Sequence, residues 1–254
     1  MISTILIIGC SQTPITNRVQ IITTSKAQEL KQGKNLYNKI LKRVKLSQNK
    51  KAIEIINRVG QKLLKVINQE YDTSNYDWQF NIVDNKWVAN AVCFPAGGVL
   101  IYSGLFPYID NEDELAVVLG HEIAHALARH RVESKTNLSL SKVFEEITKI
   151  YLYMDKNSLA FQKEIDNKKA ETLIKEWINL PHSRKQEYEA DYIGLILSSK
   201  AGYNPKAYLS FWRKFAQESA RKPEFASTHP TPKHRIEKME EILRKILLDK
   251  FTNI

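Results

Sequence analysis

The stretch Asn111-Glu112-Asp113-Glu114-Leu115-Ala116-Val117-Val118-Leu119-Gly120-His121-Glu122-Ile123-Ala124-His125-Ala126-Leu127 decides how this chain is read. It predicts one helix. Asn111 and Glu114 have capping-box spacing, and Glu112 and Asp113 put negative charge in the first turn, where the helix dipole favours it. Arg129 and Arg131 place positive charge near the expected end. From Leu115 to Leu127 the stretch is apolar apart from His121, Glu122 and His125, in the order HExxH. Four residues apart on a helix, the two histidines share a face and can each aim a ring nitrogen at a single metal ion. Glu122 lies about 100° round from His121, placed to act on a water held by that metal. A buried helix carries three such polar side chains only where something satisfies them, and a zinc ion with its water does. His130 falls off the shared face and reads as a solvated helix-end residue.

A catalytic zinc site normally takes three protein ligands and keeps one position open. The third ligand is sought in Ser183-Arg184-Lys185-Gln186-Glu187-Tyr188-Glu189-Ala190-Asp191. Ser183 and Gln186 again have capping-box spacing, an apolar run follows from Tyr192 to Leu197, and Gly202 stops the helix. Glu187 and Asp191 share a face, whereas Glu189 points nearly the opposite way. That spacing makes Glu187 the zinc ligand and Asp191 the acceptor that fixes the tautomer of a ligating histidine.

With HExxH, then SRxxExEAD, then Thr228-His229-Pro230 and Arg235-Ile236, the chain resembles the M48 family of zinc metallopeptidases, and within it the OMA1-like, membrane-associated bacterial branch. Asn90-Ala91 leading to Pro95-Ala96-Gly97-Gly98 is similar to the strand and turn before the zinc helix in that family. Ala201-Gly202-Tyr203-Asn204-Pro205 is similar to the segment after its second motif. The resemblance runs from about residue 25 to residue 245. It implies an α+β, mostly helical, zincin-like fold, with one zinc ion per chain on His121, His125 and Glu187. It further implies Glu122 as general base, an active-site role for His229, Asp191 behind a ligand, and pairing of Arg184 and Arg235 with carboxylates around the site. His182 and His234 gain no such support and read as surface residues. His229 could also fill the fourth metal position and render the site latent.

Residues Tyr76 to Val83, Lys86 to Phe94 and Gly98 to Ser103 read as three short strands, with Asn85-Lys86 and Ala96-Gly97-Gly98 as turns. They predict a small three-stranded sheet beside the HExxH helix. Its edge at Asn90, Ala91 and Val92 is suited to binding an extended polypeptide by strand addition. Val92 and Cys93 stand where the family often carries a larger apolar residue, so the shape of the substrate pocket stays open. Helical spacing recurs from Ser25 to Leu46 and from Lys51 to Tyr71, and Asn204-Pro205 and Thr231-Pro232 read as N-caps followed by proline. Residues 132–181, lysine- and glutamate-rich with helical periodicity, separate the two zinc motifs without a catalytic motif of their own.

At 254 residues and 43% hydrophobic, residues 11–254 make one domain with an ample core. The formal charge is +10, but the lysines are scattered and not interleaved with aromatics, which argues against nucleic acid as a partner. Ile7-Ile8-Gly9-Cys10 resembles a bacterial lipobox, making residues 1–10 a lipoprotein signal segment and Cys10 a lipid anchor. Nothing basic precedes it, so either the signal begins upstream of Met1 or this is an unrelated apolar N-terminus; the family resemblance favours the former. Cys93 then stands alone in a strand. The expected activity is a zinc endopeptidase on the periplasmic face of the bacterial envelope, anchored to the outer membrane and removing misfolded or unassembled envelope proteins. The alternative is an envelope chaperone that holds clients in the cleft and on the edge strand, with little proteolysis.

Overall fold

The computed structural model describes residues 9–134, 183–219 and 232–252. Residues 1–8, most of the segment between the two zinc motifs, His182 and Thr228-His229-Pro230 lie outside them. The chain opens with an antiparallel hairpin, β1 (Gly9–Gln12) and β2 (Val19–Ile22), which the sequence reading did not anticipate. Two helices follow, α1 (Lys26–Leu41) and α2 (Lys50–Glu70), capped by Ser25 and Asn49, whose side chains accept from the backbone N–H of Gln28 and Ala52. The first helix stops short of the predicted Leu46, which instead forms a single antiparallel bridge with Val83.

The sheet holds β3 (Gln79–Val83), β4 (Ala91–Cys93) and β5 (Gly98–Tyr102). All three strands are shorter than predicted, and β5 lies in the middle, parallel to β3 and antiparallel to β4. The β4–β5 turn puts Ala96 and Gly97 at positive φ, 77° and 93°. Every residue of β5 is buried, because the sheet is covered on both faces. Val99 and Ile101 join α2 and the helices beyond it, while Leu100 and Tyr102 pack with Leu36, Tyr37 and Ile40 of α1.

A 3-10 turn (Ser103–Tyr108) leads to α3 (Glu112–Leu127), the HExxH helix, then to the short α4 (His130–Ser134). Asn111 accepts the N–H of Glu114 as predicted, while the Glu114 carboxylate accepts from Asp110 instead of the cap itself. The remaining helices are α5 (Arg184–Lys200), α6 (Ala207–Ser219) and α7 (Pro232–Thr252). The Ser183–Gln186 capping box is complete, and Gly202 takes φ 87° beyond the end of α5. Asn204 makes a turn by accepting from the N–H of Lys206, so α6 begins after it. The architecture is α+β and mostly helical, with α3 lying along α5 and next to β4. Among the described residues no helix is long and apolar enough to cross a membrane.

Candidate metal centre

The α3–α5 crossing builds the site. Gly120 and Gly194 face each other there: a Cβ on Gly194 would stand 2.8 Å from the backbone of both Gly120 and His121. Only glycine lets the two backbones come this close. The approach sets Glu187, one turn into α5, against the histidines of α3. His121 Nε2 and His125 Nε2 are 3.0 Å apart, Glu187 Oε2 is 3.6 Å from the first, and Glu187 Oε1 is 3.4 Å from the second. One donor atom from each of the three lies within 4.8 Å of the others, and all three side chains are buried. Glu122 is buried on the same helix. Burial pushes the Cys93 thiol of β4 well up and the Glu122 charge adds to this, so the glutamate and the edge strand are neighbours.

The donor chemistry fits a metal ion. Burial pushes the His125 ring well below its ordinary value, so Nε2 offers a lone pair, while the Glu187 charge pulls the other way. His121 Nδ1 is 2.8 Å from Asp191 Oδ1, which leaves its Nε2 for coordination. Asp191 and Glu187 are both 0% exposed, and Arg235 of α7 neutralises them together. Its Nε donates to Asp191 Oδ2 at 2.7 Å and its Nη1 sits 3.0 Å from Glu187 Oε2. The guanidinium lies 3.7 Å over the Trp212 ring of α6. Burial alone would raise the Asp191 carboxyl, but the Arg235 charge and the bonds from Arg235 and His121 hold it below the ordinary range.

His121, Glu122, His125, Glu187, Asp191 and Arg235 thus converge, with Asn90, Ala91 and Val92 on the neighbouring strand and its approach. Two readings are corrected. Arg184 is exposed in the first turn of α5 and pairs with no carboxylate among the described residues. His130 is 0% exposed, not solvated: its Nδ1 is 3.0 Å from His125 Nδ1 and its Nε2 is 3.0 Å from Glu189 Oε2. One helix continued through residue 130 would turn His130 off the shared face, whereas Arg129 takes φ 56° and turns the chain, bringing His130 back onto His125. Burial works against the Glu189 charge, but bonds from His130, Thr13, Thr16 and Arg18 outweigh it and hold the carboxyl at about 2. A signal for Glu189 was available. The run Tyr192 to Leu197 that follows it is apolar on every side of the helix, so a carboxylate on the face away from Glu187 also had to meet a partner. His234 is exposed, as expected.

A helix-borne HExxH, a carboxylate from a second helix and an adjoining edge strand define a zincin-like metallopeptidase. The model of Peptidase family M48 matches residues 52–243. The chain is 29% identical to Mitochondrial metalloendopeptidase OMA1 of Saccharomyces cerevisiae over 93% of its own length and 72% of the relative's. It is 30% identical to the Schizosaccharomyces pombe protein of the same name, over 91% of this chain and 65% of that one. It is 27% identical to the Beta-barrel assembly-enhancing protease of Escherichia coli, over 84% of this chain and 43% of the relative. The chain belongs to peptidase family M48 and is a metal-dependent peptidase, a hydrolase.

Proposed function

We propose that the chain is a zinc endopeptidase acting on unfolded or unassembled proteins of a bacterial cell envelope. One observation carries the reading: two histidine Nε2 atoms and the Glu187 carboxylate converge in a buried pocket beside Glu122. His121, His125 and Glu187 hold the ion, a nitrogen and oxygen set suited to zinc. Zinc, when bound, polarises the scissile carbonyl and brings the pKa of water at the site toward neutrality. Glu122 takes a proton from the attacking water on its carboxylate and passes it to the leaving amine nitrogen. Asp191 keeps His121 in the tautomer that carries its proton on Nδ1. Among the described residues β4 pairs only with β5, so its outer edge, Asn90 to Val92, receives an extended substrate through main-chain hydrogen bonds. His229, through the family resemblance, supplies a hydrogen bond to the oxyanion.

The name of the Escherichia coli relative, an assembly-enhancing protease, supports the envelope setting. Attachment through Cys10 places the hairpin of β1 and β2 next to the membrane. A fatty-acid label present on the wild type and lost in Cys10→Ala would support it, and a label on neither would end it.

The test of activity pairs zinc content with casein cleavage. We expect Glu122→Gln to keep zinc and lose about 10²- to 10⁴-fold in rate, as removal of a general base does. Glu187→Ala loses both zinc and cleavage. Full cleavage by Glu122→Gln would refute the assignment of the base. Stoichiometric zinc with client holding but no cleavage by the wild type would favour the chaperone reading.

A further inference from the structure

The two histidines of the site are supported differently. His121 Nδ1 meets a carboxylate directly, in Asp191. His125 Nδ1 meets another imidazole, His130, which in turn meets Glu189. Proton bookkeeping along this second path allows one arrangement when His125 offers Nε2 to a metal. Its Nδ1 then carries the hydrogen and donates to His130 Nδ1, so His130 carries its own hydrogen on Nε2 and donates to Glu189 Oε2.

Glu189 is held from the other side by the N-terminal hairpin, more than 170 residues away in sequence. Thr13 Oγ1 donates to Glu189 Oε1 at 2.6 Å, the Thr16 hydroxyl donates to the same oxygen, and Arg18 Nε donates to Oε2 at 2.6 Å. The turn presents all three together. Thr13 N–H donates to the Arg18 carbonyl at 2.9 Å, Arg18 N–H donates to Thr13 Oγ1 at 3.1 Å, and Ile15 and Asn17 take φ 65° and 52° between them. The other end of the Arg18 guanidinium grips both oxygens of Glu133 in α4, which also accepts from Gln186 Nε2 at 2.7 Å. Nearby, Arg129 Nε donates to the buried Glu29 at 2.6 Å and its Nη2 to the Thr24 carbonyl at 3.0 Å. The segment from Thr13 to Glu29 therefore clamps the turn that aims His130. All of it lies outside residues 52–243, the part that the family model matches.

We infer that Thr13, Thr16 and Arg18 of the N-terminal hairpin act through Glu189 and His130 as positioning residues for the metal ligand His125. The inference rests on His125 being a ligand, as proposed above. The hairpin fixes the Glu189 oxygens, Glu189 fixes the His130 tautomer, and His130 fixes both the tautomer and the ring angle of His125. A merely structural hairpin would lend stability to the fold without touching metal affinity; this chain of bonds ties the two together.

The test is metal affinity in the full chain, measured by zinc competition against a chromophoric chelator and by the absorption spectrum of cobalt(II) at the site. Thermal midpoints of the metal-free proteins are followed alongside. His130→Phe keeps a ring of similar size but cannot accept from His125, and we expect about 10- to 100-fold weaker binding with an altered cobalt spectrum. His130→Gln, which can accept on one atom and donate on the other, restores most of the affinity. Thr13→Val combined with Thr16→Val removes two donors to Glu189 without adding a charge, and about a tenfold loss is expected. Glu187→Ala, which should lose the metal outright, is the control for the site itself. Failure of the wild type to bind zinc would sink the metal-site reading. Zinc bound by the wild type and lost in Glu187→Ala, but held with unchanged affinity by the threonine double variant, would sink the inference alone. A lowered midpoint at unchanged affinity and unchanged spectrum would also overturn it, leaving the hairpin a structural part only.

Discussion

Arg235 supports the site from behind its donor atoms. It is fully buried, and its one charge answers two fully buried carboxylates. Removing one partner from a buried ionic group leaves the rest uncompensated, at a cost of about 3–5 kcal/mol. We expect Arg235→Leu to lower the unfolding free energy of the metal-free protein by that order, and with it the urea midpoint, with metal binding weakened as Glu187 and Asp191 separate. Urea unfolding of the metal-free form checks this, and an unchanged midpoint would refute it. At this scale HExxH and the Glu187–Asp191 pair could be read because each lies within a single helix, where spacing fixes direction. His130 could not, because a single residue at positive φ, Arg129, lies between it and the helix on which it was projected. Arg184 shares the capped first turn of Glu187 but faces solvent, which the sequence motif alone does not distinguish.

The α3–α5 contact is the element on which the donor geometry depends. At Gly194 the atoms a Cβ would meet are backbone, so no side chain can move aside to admit it. Overpacking of this kind costs about 1–3 kcal/mol. Gly194→Ala should therefore lower the thermal midpoint and also weaken zinc binding, since the displacement acts between His121 and Glu187. Calorimetry and chelator competition on one preparation read both effects, and normal affinity in a folded protein would exclude the coupling. The elements themselves were largely legible: three strands, the HExxH helix, the capped second helix and its glycine stop. Strand order was not. Local alternation tells a strand from a helix, but the parallel pairing of β3 with β5 depends on helices covering both faces. The β1–β2 hairpin escaped notice because Gly9 and Cys10 were read as the end of a signal segment and each strand is only four residues long.

The molecule as a whole encloses its sheet between α1 on one side and α2, α3, α5 and α6 on the other, and this burial leaves a signature in alkaline solution. Burial raises the Tyr37 phenol to about 12, with the bond from Asn81 opposing, and burial raises Tyr203 to about 12 as well. A phenol whose folded value is raised contributes stability that is complete below the unfolded value of about 10 and is lost as pH climbs through the folded one. The thermal midpoint should fall between pH 10 and 12, and Tyr37→Phe should make that fall shallower. Equal slopes in both proteins would refute the assignment. The mostly helical character followed from periodicity; the pairing of distant segments did not, because it is set by contacts that no local window contains. Those distances also impose an order of events during synthesis. The donors of α3 and α5 emerge from the ribosome well before α7, and until Arg235 arrives the two inner carboxylates repel each other with no cation between them. A nascent chain thus carries a donor set whose inner charges lack the Arg235 cation until α7 has been made.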